Sequence, residues 1–339
     1  MSLLFTEGFD SYPNPIPLKY KWNRLTTAPR VTGRTAGGYG IQINAADFIS
    51  KTIEDSTTMI LGFAIKPTNT GAATYYIARI YNREDQPVIN IGLTGFTTVF
   101  IEDFNAVVDT TTFNLPLNQW SYIEIKVTSA IDNAPVGAVR VRGTVGPLNI
   151  TFYTSPAGRD FNNATLNTVG TCVFNGDGDQ QYDDMYICDT TGPTNNNFLG
   201  AIIIRTLFPT ANGAVIQLNP VGAGTNYQAV NNPVLTPDAT YVESRIIGDK
   251  DLYVSGGLVI TPGNNIAAVV LNAVTRKDKS GYGHIKVPVR FNATDSNGVD
   301  YFVPSGYQSA QRHLDVNPIT NAPWSEDDVN DLQAGVMIS

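Results

Sequence analysis

A two-residue alternation of apolar and polar side chains recurs along the first half of this chain and constrains its fold more than any other feature. In Ser121-Tyr-Ile-Glu-Ile-Lys-Val127, Ile123, Ile125 and Val127 fall on one face and Tyr122, Glu124 and Lys126 on the other. Successive side chains of a strand point to opposite faces, so the pattern predicts a half-buried strand and is incompatible with an amphipathic helix. Gly137-Ala-Val-Arg-Val-Arg-Gly143 repeats it, with Val139 and Val141 inward and Arg140 and Arg142 outward. Further strands are expected over residues 59–65, stopped by Lys66-Pro67, and 74–81, stopped by Asn82-Arg-Glu-Asp-Gln-Pro87. Others are expected over 88–93, 97–102 and 171–174. Short strands at regular spacing, punctuated by Gly, Pro and Asn, predict a sandwich or jelly roll, not a parallel βαβ fold.

The second half continues in the same style. Strands are expected over residues 201–208, 266–275, 283–292 and 307–314, and Pro288 implies an edge position or a bulge. One helix is expected, over residues 324–335, with Ser325 as N-cap, Asp328 at the capping-box position, acids in the first turn and Gly335 as the stop. A last strand over 336–338 follows it. The 339 residues suit two domains. The fold class expected is therefore all-β: two antiparallel β-sandwich or jelly-roll domains with one short helix near the C-terminus. The first domain is placed at 1–192, a polar linker at 193–197 and the second domain at 198–339.

Charged residues are only 15% of the chain, which suits a turn-rich β protein. The net charge of −8 argues against a nucleic-acid partner, because neutralising phosphates requires clustered Lys and Arg. The groups Arg140/Arg142 and Arg276/Lys277/Lys279 are too small to reverse that. Met1-Ser-Leu-Leu-Phe5 has no basic stretch and no long apolar run, so no signal peptide and no membrane partner are expected. Cys172 and Cys188 lack metal-ligand spacing and read as buried free thiols. The sequons at Asn149, Asn163 and Asn292 carry no meaning without a secretory route.

Five segments resemble tailed-bacteriophage virion proteins with an N-terminal concanavalin A-like or laminin G-like jelly roll. Leu3-Leu-Phe-Thr-Glu-Gly-Phe-Asp10 is similar to the opening strand and Trp120-Ser-Tyr-Ile-Glu-Ile-Lys-Val127 to the mid-domain strand. Gly137-Ala-Val-Arg-Val-Arg-Gly143 is similar to the hairpin strand after it, and Tyr182-Asp-Asp-Met-Tyr-Ile-Cys-Asp189 to the closing one. Ala322-Pro-Trp-Ser-Glu-Asp-Asp-Val-Asn-Asp-Leu-Gln-Ala-Gly-Val336 resembles an ending found in phage structural proteins. The resemblance implies a non-enzymatic virion structural protein made in the host cytoplasm, such as a capsid decoration protein. Its partners would be other capsid or tail proteins, with many copies or a homo-oligomer on each particle. The alternative is a receptor-binding, lectin-like protein of a tail or head appendage that recognises a host surface glycan.

Candidate sites are few. Asp177-Gly-Asp-Gln-Gln-Tyr-Asp-Asp184 is the densest acidic group, and Asp177, Asp179 and Asp183 are the candidates for an irregular calcium site. A turn whose carboxylates cap backbone amides is the preferred reading. No cofactor is otherwise expected. A retaining glucanase needs two carboxyls about 5 Å apart, supplied by a Glu-x-Asp-x-x-Glu strand. Glu102 and Asp103 are adjacent and face opposite ways, Glu124 stands alone, and Glu326, Asp328 and Asp331 lie on the expected helix. His284 and His313 have no nucleophile elbow beside them. No catalytic residue is therefore assigned. Tyr39, Tyr227, Tyr301 and Tyr307 at loop tips are the candidates for stacking on sugar rings.

Overall fold

The computed structural model describes all residues except 1, 13–19, 26–27, 69–73, 96, 104–107, 129–137, 146–147, 155–168, 177–178, 237 and 280–282. The chain divides into two compact units, Met1–Arg205 and Thr206–Ser339. Both are β-rich, as the alternation predicts.

The first unit is a sandwich of two antiparallel sheets. One sheet runs in the order Leu148–Thr154, Ala138–Val145, Ser121–Thr128, Thr58–Lys66, Gln180–Cys188, Tyr39–Ile43 and Arg30–Thr32, and Leu3–Glu7 also pairs with Gln180–Cys188. The other runs Val108–Asn114, Thr98–Asp103, Pro87–Thr94, Tyr75–Tyr81, Val169–Asn175, Phe48–Ser56 and Arg24–Leu25. The expected closing strand is central, because Gln180–Cys188 is bonded to the strands beginning at Leu3, Tyr39 and Thr58.

Between the sheets the inward residues are fully enclosed. They include Ile123, Ile125 and Val127 from the first sheet and Ile89, Ile91, Leu93 and Ile101 from the second. At the centre, Phe63, Phe174 and Tyr182 pack edge-on or tilted, with centroids 5.2, 5.5 and 6.0 Å apart, and Trp22 extends the cluster to Phe5 and Phe174. Such pairs contribute about 0.5–1.5 kcal/mol each beyond the area they bury. The Tyr182 hydroxyl would be costly there unpaired, and its single proton is shared between the Ile77 and Asn175 carbonyls, each 2.8 Å away. Two glycines admit rings against the backbone. A Cβ on Gly62 would lie 2.0 Å from the Tyr186 ring, and one on Gly92 would lie 2.3 Å from Phe100.

The second unit has a main sheet in the order Pro209–Ile216, Lys250–Ser255, Gln333–Ile338, His284–Lys286 and Tyr301–Phe302. Val289–Phe291 also pairs with Gln333–Ile338, and Thr294–Ser296 with Val289–Phe291. Two strand pairs, Asn219–Val221 with Tyr241–Glu243 and Val269–Thr275 with Gln308–Leu314, stand apart in the pairing. Pro288 splits the strand expected over 283–292, because proline offers no amide to a ladder. One core gathers Val289, Phe291, Leu314, Trp324, Val329 and Leu332; a second gathers Ile285, Val287, Val303 and Ala310.

The helix near the C-terminus is Glu326–Asp331, with both capping-box bonds between Ser325 and Asp328 in place. It ends earlier than expected. Gly335 lies in the strand Gln333–Ile338, where a Cβ would come within 1.9 Å of the Asp251 carbonyl oxygen. A second helix, Asn226–Val230, has only five residues, too short to leave a periodic signature.

Residues 201–208 differ most from expectation. The run joins no ladder up to residue 208, and residues 199–205 lie as a strap on the outer face of the first sheet. The amides of Leu199, Gly200 and Ile204 donate to side chains instead of a neighbouring strand: the Tyr186 hydroxyl, Glu124 Oε1 and Asp184 Oδ1. Apolar alternation without a partner strand is satisfied here by a polar sheet face.

Candidate functional site

Three groups of polar side chains stand out, and each has a different accessibility. The first lies beneath the strap. Glu124 accepts from the Tyr186 hydroxyl and the Gly200 amide, and Asp184 accepts from Arg34 Nε at 2.8 Å and the Ile204 amide at 2.7 Å. The Arg34 side chain also donates to the Ile202 carbonyl. A bulge in the closing strand aims these groups. The pairing with Thr58–Lys66 shifts between Asp183 and Tyr186, and Asp184 adopts φ +48°, a left-handed conformation that Asp tolerates better than most residues. Glu124, Asp183, Asp184 and Tyr186 are all buried. This network binds the chain's own strap.

Burial, and then the charge of Asp184, push the Asp183 carboxyl up to about 8; burial also raises Asp184, against the pull of Arg34. A carboxyl whose folded-state value is raised contributes stability that is complete below its unfolded value and is lost as the pH rises through the folded one. The melting temperature of the first unit is therefore expected to fall between about pH 4 and about pH 8 and to level off above that, with a flatter profile for Asp183→Asn. Differential scanning calorimetry across that range tests this.

The second group is in the other unit. Asp238 Oδ1 accepts from Arg276 Nη2 and from the Tyr307 hydroxyl at 2.8 Å, and the guanidinium lies 5.2 Å from the Tyr307 ring centroid. The ring is thereby tied to a charge pair on an open surface.

The third group lies on the outer face of the second sheet of the sandwich. Arg79, Asn90 and Glu102 are directly opposed across three neighbouring strands, so their side chains form one row. Tyr76 joins them through an irregularity. The register shifts between Tyr76 and Ala78, and the phenol hydroxyl donates to Glu102 Oε2 at 2.6 Å. Asn90 Nδ2 donates to the same oxygen at 3.0 Å. The Arg79 guanidinium carbon lies 4.0 Å from the Tyr76 ring centroid, and Phe100 tilts against that ring at 5.8 Å. Asn90 Oδ1 is buried and has no hydrogen-bond partner among the described residues. The four polar residues are half-buried on strands whose other faces form the core. The row places an aromatic ring, a carboxylate, an amide and a guanidinium within one patch.

The residues singled out from sequence are dispersed. Asp177 lies outside the described residues. Asp179 caps the Ala45 amide through Oδ1 at 2.9 Å, and Asp183 accepts from the Arg34 amide at 2.7 Å. Among the described residues no group of three His, Cys, Asp or Glu side chains is placed to hold a metal. Tyr39 is 39% exposed, with Arg30 3.8 Å above its ring. Tyr227 lies in the helix Asn226–Val230, and the Tyr301 hydroxyl donates to the Gln311 carbonyl. Both cysteines are buried and free, and burial pushes the Cys172 thiol up to about 12. Among the described residues no helix is long and apolar enough to cross a membrane.

No protein-family model matches the chain, and no curated protein does. Solved structures that match part of the chain include an endo-β-1,4-glucuronan lyase from Trichoderma reesei, at 13% identity and a TM-score of 0.40, covering 53% of this chain and 94% of that one. An alginate lyase from Aplysia kurodai matches at 10% identity and a TM-score of 0.40, covering 55% and 99%. Domain 4 of an extracellular arabinanase from Geobacillus stearothermophilus, in complex with arabinotriose, matches at 14% identity and a TM-score of 0.34, covering 55% and 92%. The expectation that the chain is not an enzyme is corrected here: the structures matched include polysaccharide lyases and sialidases. That expectation rested on finding no hydrolytic carboxylate pair and no nucleophile elbow, which excludes particular mechanisms and leaves other carbohydrate chemistry open.

Proposed function

We propose that the first unit binds carbohydrate across the outer face of its second sheet, over Tyr76, Arg79, Asn90 and Glu102. The observation that carries this reading is the row itself: three polar residues in cross-strand register with an aromatic ring beside them on the outer face of a sheet. Rings add sequence-tolerant contact area, and fixed polar groups set orientation.

Affinity electrophoresis through gels containing soluble polysaccharides tests the reading. Retardation of the intact protein by at least one polysaccharide is expected, with a loss of about tenfold in affinity for Tyr76→Ala, the change that about 1.4 kcal/mol produces. Tyr307→Ala is expected to leave retardation unchanged. The opposite ranking of the two variants would refute the site.

The setting we propose is a virion surface, supported by the five segments that resemble phage virion proteins. On that reading the protein is a receptor-binding, lectin-like component of a tail or head appendage. Capsid decoration is the second reading, and one observation favours it. Ile246 and Ile247 are 65% and 79% exposed in a turn braced by Ser244 and Asp249, an arrangement suited to contact with another virion protein. Mass spectrometry of purified particles is expected to find the chain; its absence from them would remove both virion readings and leave the carbohydrate site standing.

A further inference from the structure

We infer that the face beneath the strap is a peptide-binding site, selective for a glycine followed four residues later by a branched aliphatic residue, and that the strap of a second copy of this chain can occupy it. This site is independent of the carbohydrate-binding reading, since it lies on the first sheet of the sandwich and the polar row lies on the second.

Side chains of the sheet take hold of the strap by its backbone. The Tyr186 hydroxyl accepts from the Leu199 amide at 3.2 Å, Glu124 Oε1 from the Gly200 amide at 2.7 Å and Asp184 Oδ1 from the Ile204 amide at 2.7 Å. Arg34 reverses the polarity and donates to the Ile202 carbonyl. Backbone groups are common to every peptide, so these four bonds attach a segment without reading its sequence. Sequence enters at two positions. Gly200 has φ +83°, a conformation that other residues adopt only under strain, and the Ile202 amide closes a tight turn onto the Gly200 carbonyl. A Cβ at Gly200 would meet nothing within 4 Å, so the requirement there is conformational. Ile204 is selected by shape instead. A Cβ on Gly8 would come within 2.8 Å of Ile204 Cγ2 and 3.1 Å of Ile204 Cβ, so the absent side chain of Gly8 forms the notch in which Ile204 sits.

An uncovered face is unfavourable. Tyr122, Glu124, Asp184 and Tyr186 are all buried, and without the strap both carboxylates lose an amide donor. Occupancy is therefore favoured, yet none of the four bonds requires the occupant to belong to the same chain. The strap joins no ladder, follows the polar residues 193–197 and ends at Arg205, where the first unit stops. Exchange between two copies preserves all four bonds, which makes it a low-cost route to a dimer. In a single chain the tethered strap competes at high effective concentration, so the closed monomer prevails until that strap is disabled.

Ile204→Asp and Gly200→Val each disable the strap of the full chain in a different way. Fluorescence anisotropy with a labelled peptide of residues 198–206 is expected to show binding to both variants at least about tenfold tighter than to the wild type, whose own strap competes. The same peptide carrying Ile204→Asp is expected to bind at least about tenfold more weakly, and so is the unaltered peptide to a chain carrying both Ile204→Asp and Gly8→Ala. For the second copy, full-length Ile204→Asp supplies a sound face and full-length Gly8→Ala a sound strap. Mixed, they are expected to form a one-to-one dimer by light scattering, while each alone stays monomeric. Circular dichroism identifies a strap variant that fails to fold, and Gly200→Val then replaces Ile204→Asp in both experiments. No preference of the peptide for the disabled chains, or equal binding of the two peptides, would overturn the peptide site. Peptide binding with a mixture that stays monomeric would overturn the second copy as its occupant.

Discussion

Arg34→Ala is expected to destabilise the first unit by about 3 kcal/mol, the lower end of what breaking a buried ion pair costs. Arg34 is mostly enclosed, with 17% of its side chain exposed, and Asp184 is 2% exposed, so the carboxylate would keep its burial and lose its counter-ion. The same substitution removes the donor to the Ile202 carbonyl and the cation 5.0 Å above Tyr122, which loosens the strap as well as the sheet. For a unit of this size the loss corresponds to a fall of about 6–12 °C in melting temperature. Calorimetry should show the first unit's transition moving while that of Thr206–Ser339 stays put. Hydrogen exchange at the amides of Gly200 and Ile204 should accelerate, since each donates to a carboxylate of this network. An unmoved transition would mean that the guanidinium is a surface group whose pairing contributes little.

Asp251→Ala should have a comparable or larger effect, confined to the second unit. Asp251 is fully buried and accepts four hydrogen bonds: from the Gln217 and Leu218 amides at 2.7 and 2.9 Å, from Asn226 Nδ2 at 2.8 Å and from the Tyr253 hydroxyl at 2.7 Å. Removing the carboxylate deprives four donors of this acceptor, three of them in buried residues, at about 1–3 kcal/mol for each buried one before relaxation. A net loss of about 4 kcal/mol is expected once a water enters the space, corresponding to roughly 10 °C or more. Asp251→Asn keeps one acceptor oxygen and should lose about half as much. Thermal melts of the two variants separate these outcomes, and equal stability of wild type and Asp251→Ala would contradict the network.

Much of the fold is legible in the chain because its cause is local. The alternation in residues 121–127 specifies which side chains meet the core, and Ile123, Ile125 and Val127 are indeed fully enclosed. The capping box at Ser325 and Asp328 is readable for the same reason, since all its atoms come from one turn. The opposite face of residues 121–127 was not legible. Tyr122 and Glu124 were expected in solvent and are buried, because the strap that covers them comes from residues 199–205, far away in sequence. The apolar run at 201–208 looks like a strand for the reason it makes a good strap: alternate side chains, Ile202 and Ile204, are partly buried while Ile203 is exposed.

The proposed binding row was hidden by a single irregularity. Strict alternation along Tyr75–Tyr81 puts Tyr76 and Arg79 on opposite faces, since three residues separate them. The register shift between Tyr76 and Ala78 brings both to the outer face. Glu102 was visible as a carboxylate on an expected strand, but nothing local indicates that Asn90 and Arg79 lie in line with it. The loop tyrosines drew notice because aromatic residues in turns are conspicuous in a sequence. In the structure, Tyr301 and Tyr307 already hold hydrogen bonds within their own unit.

The most direct test of the proposed carbohydrate-binding face is a crystal structure of the full chain with a bound oligosaccharide. The account predicts a sugar ring against Tyr76, with a hydroxyl donating to the Glu102 carboxylate. An oligosaccharide seated elsewhere would contradict it.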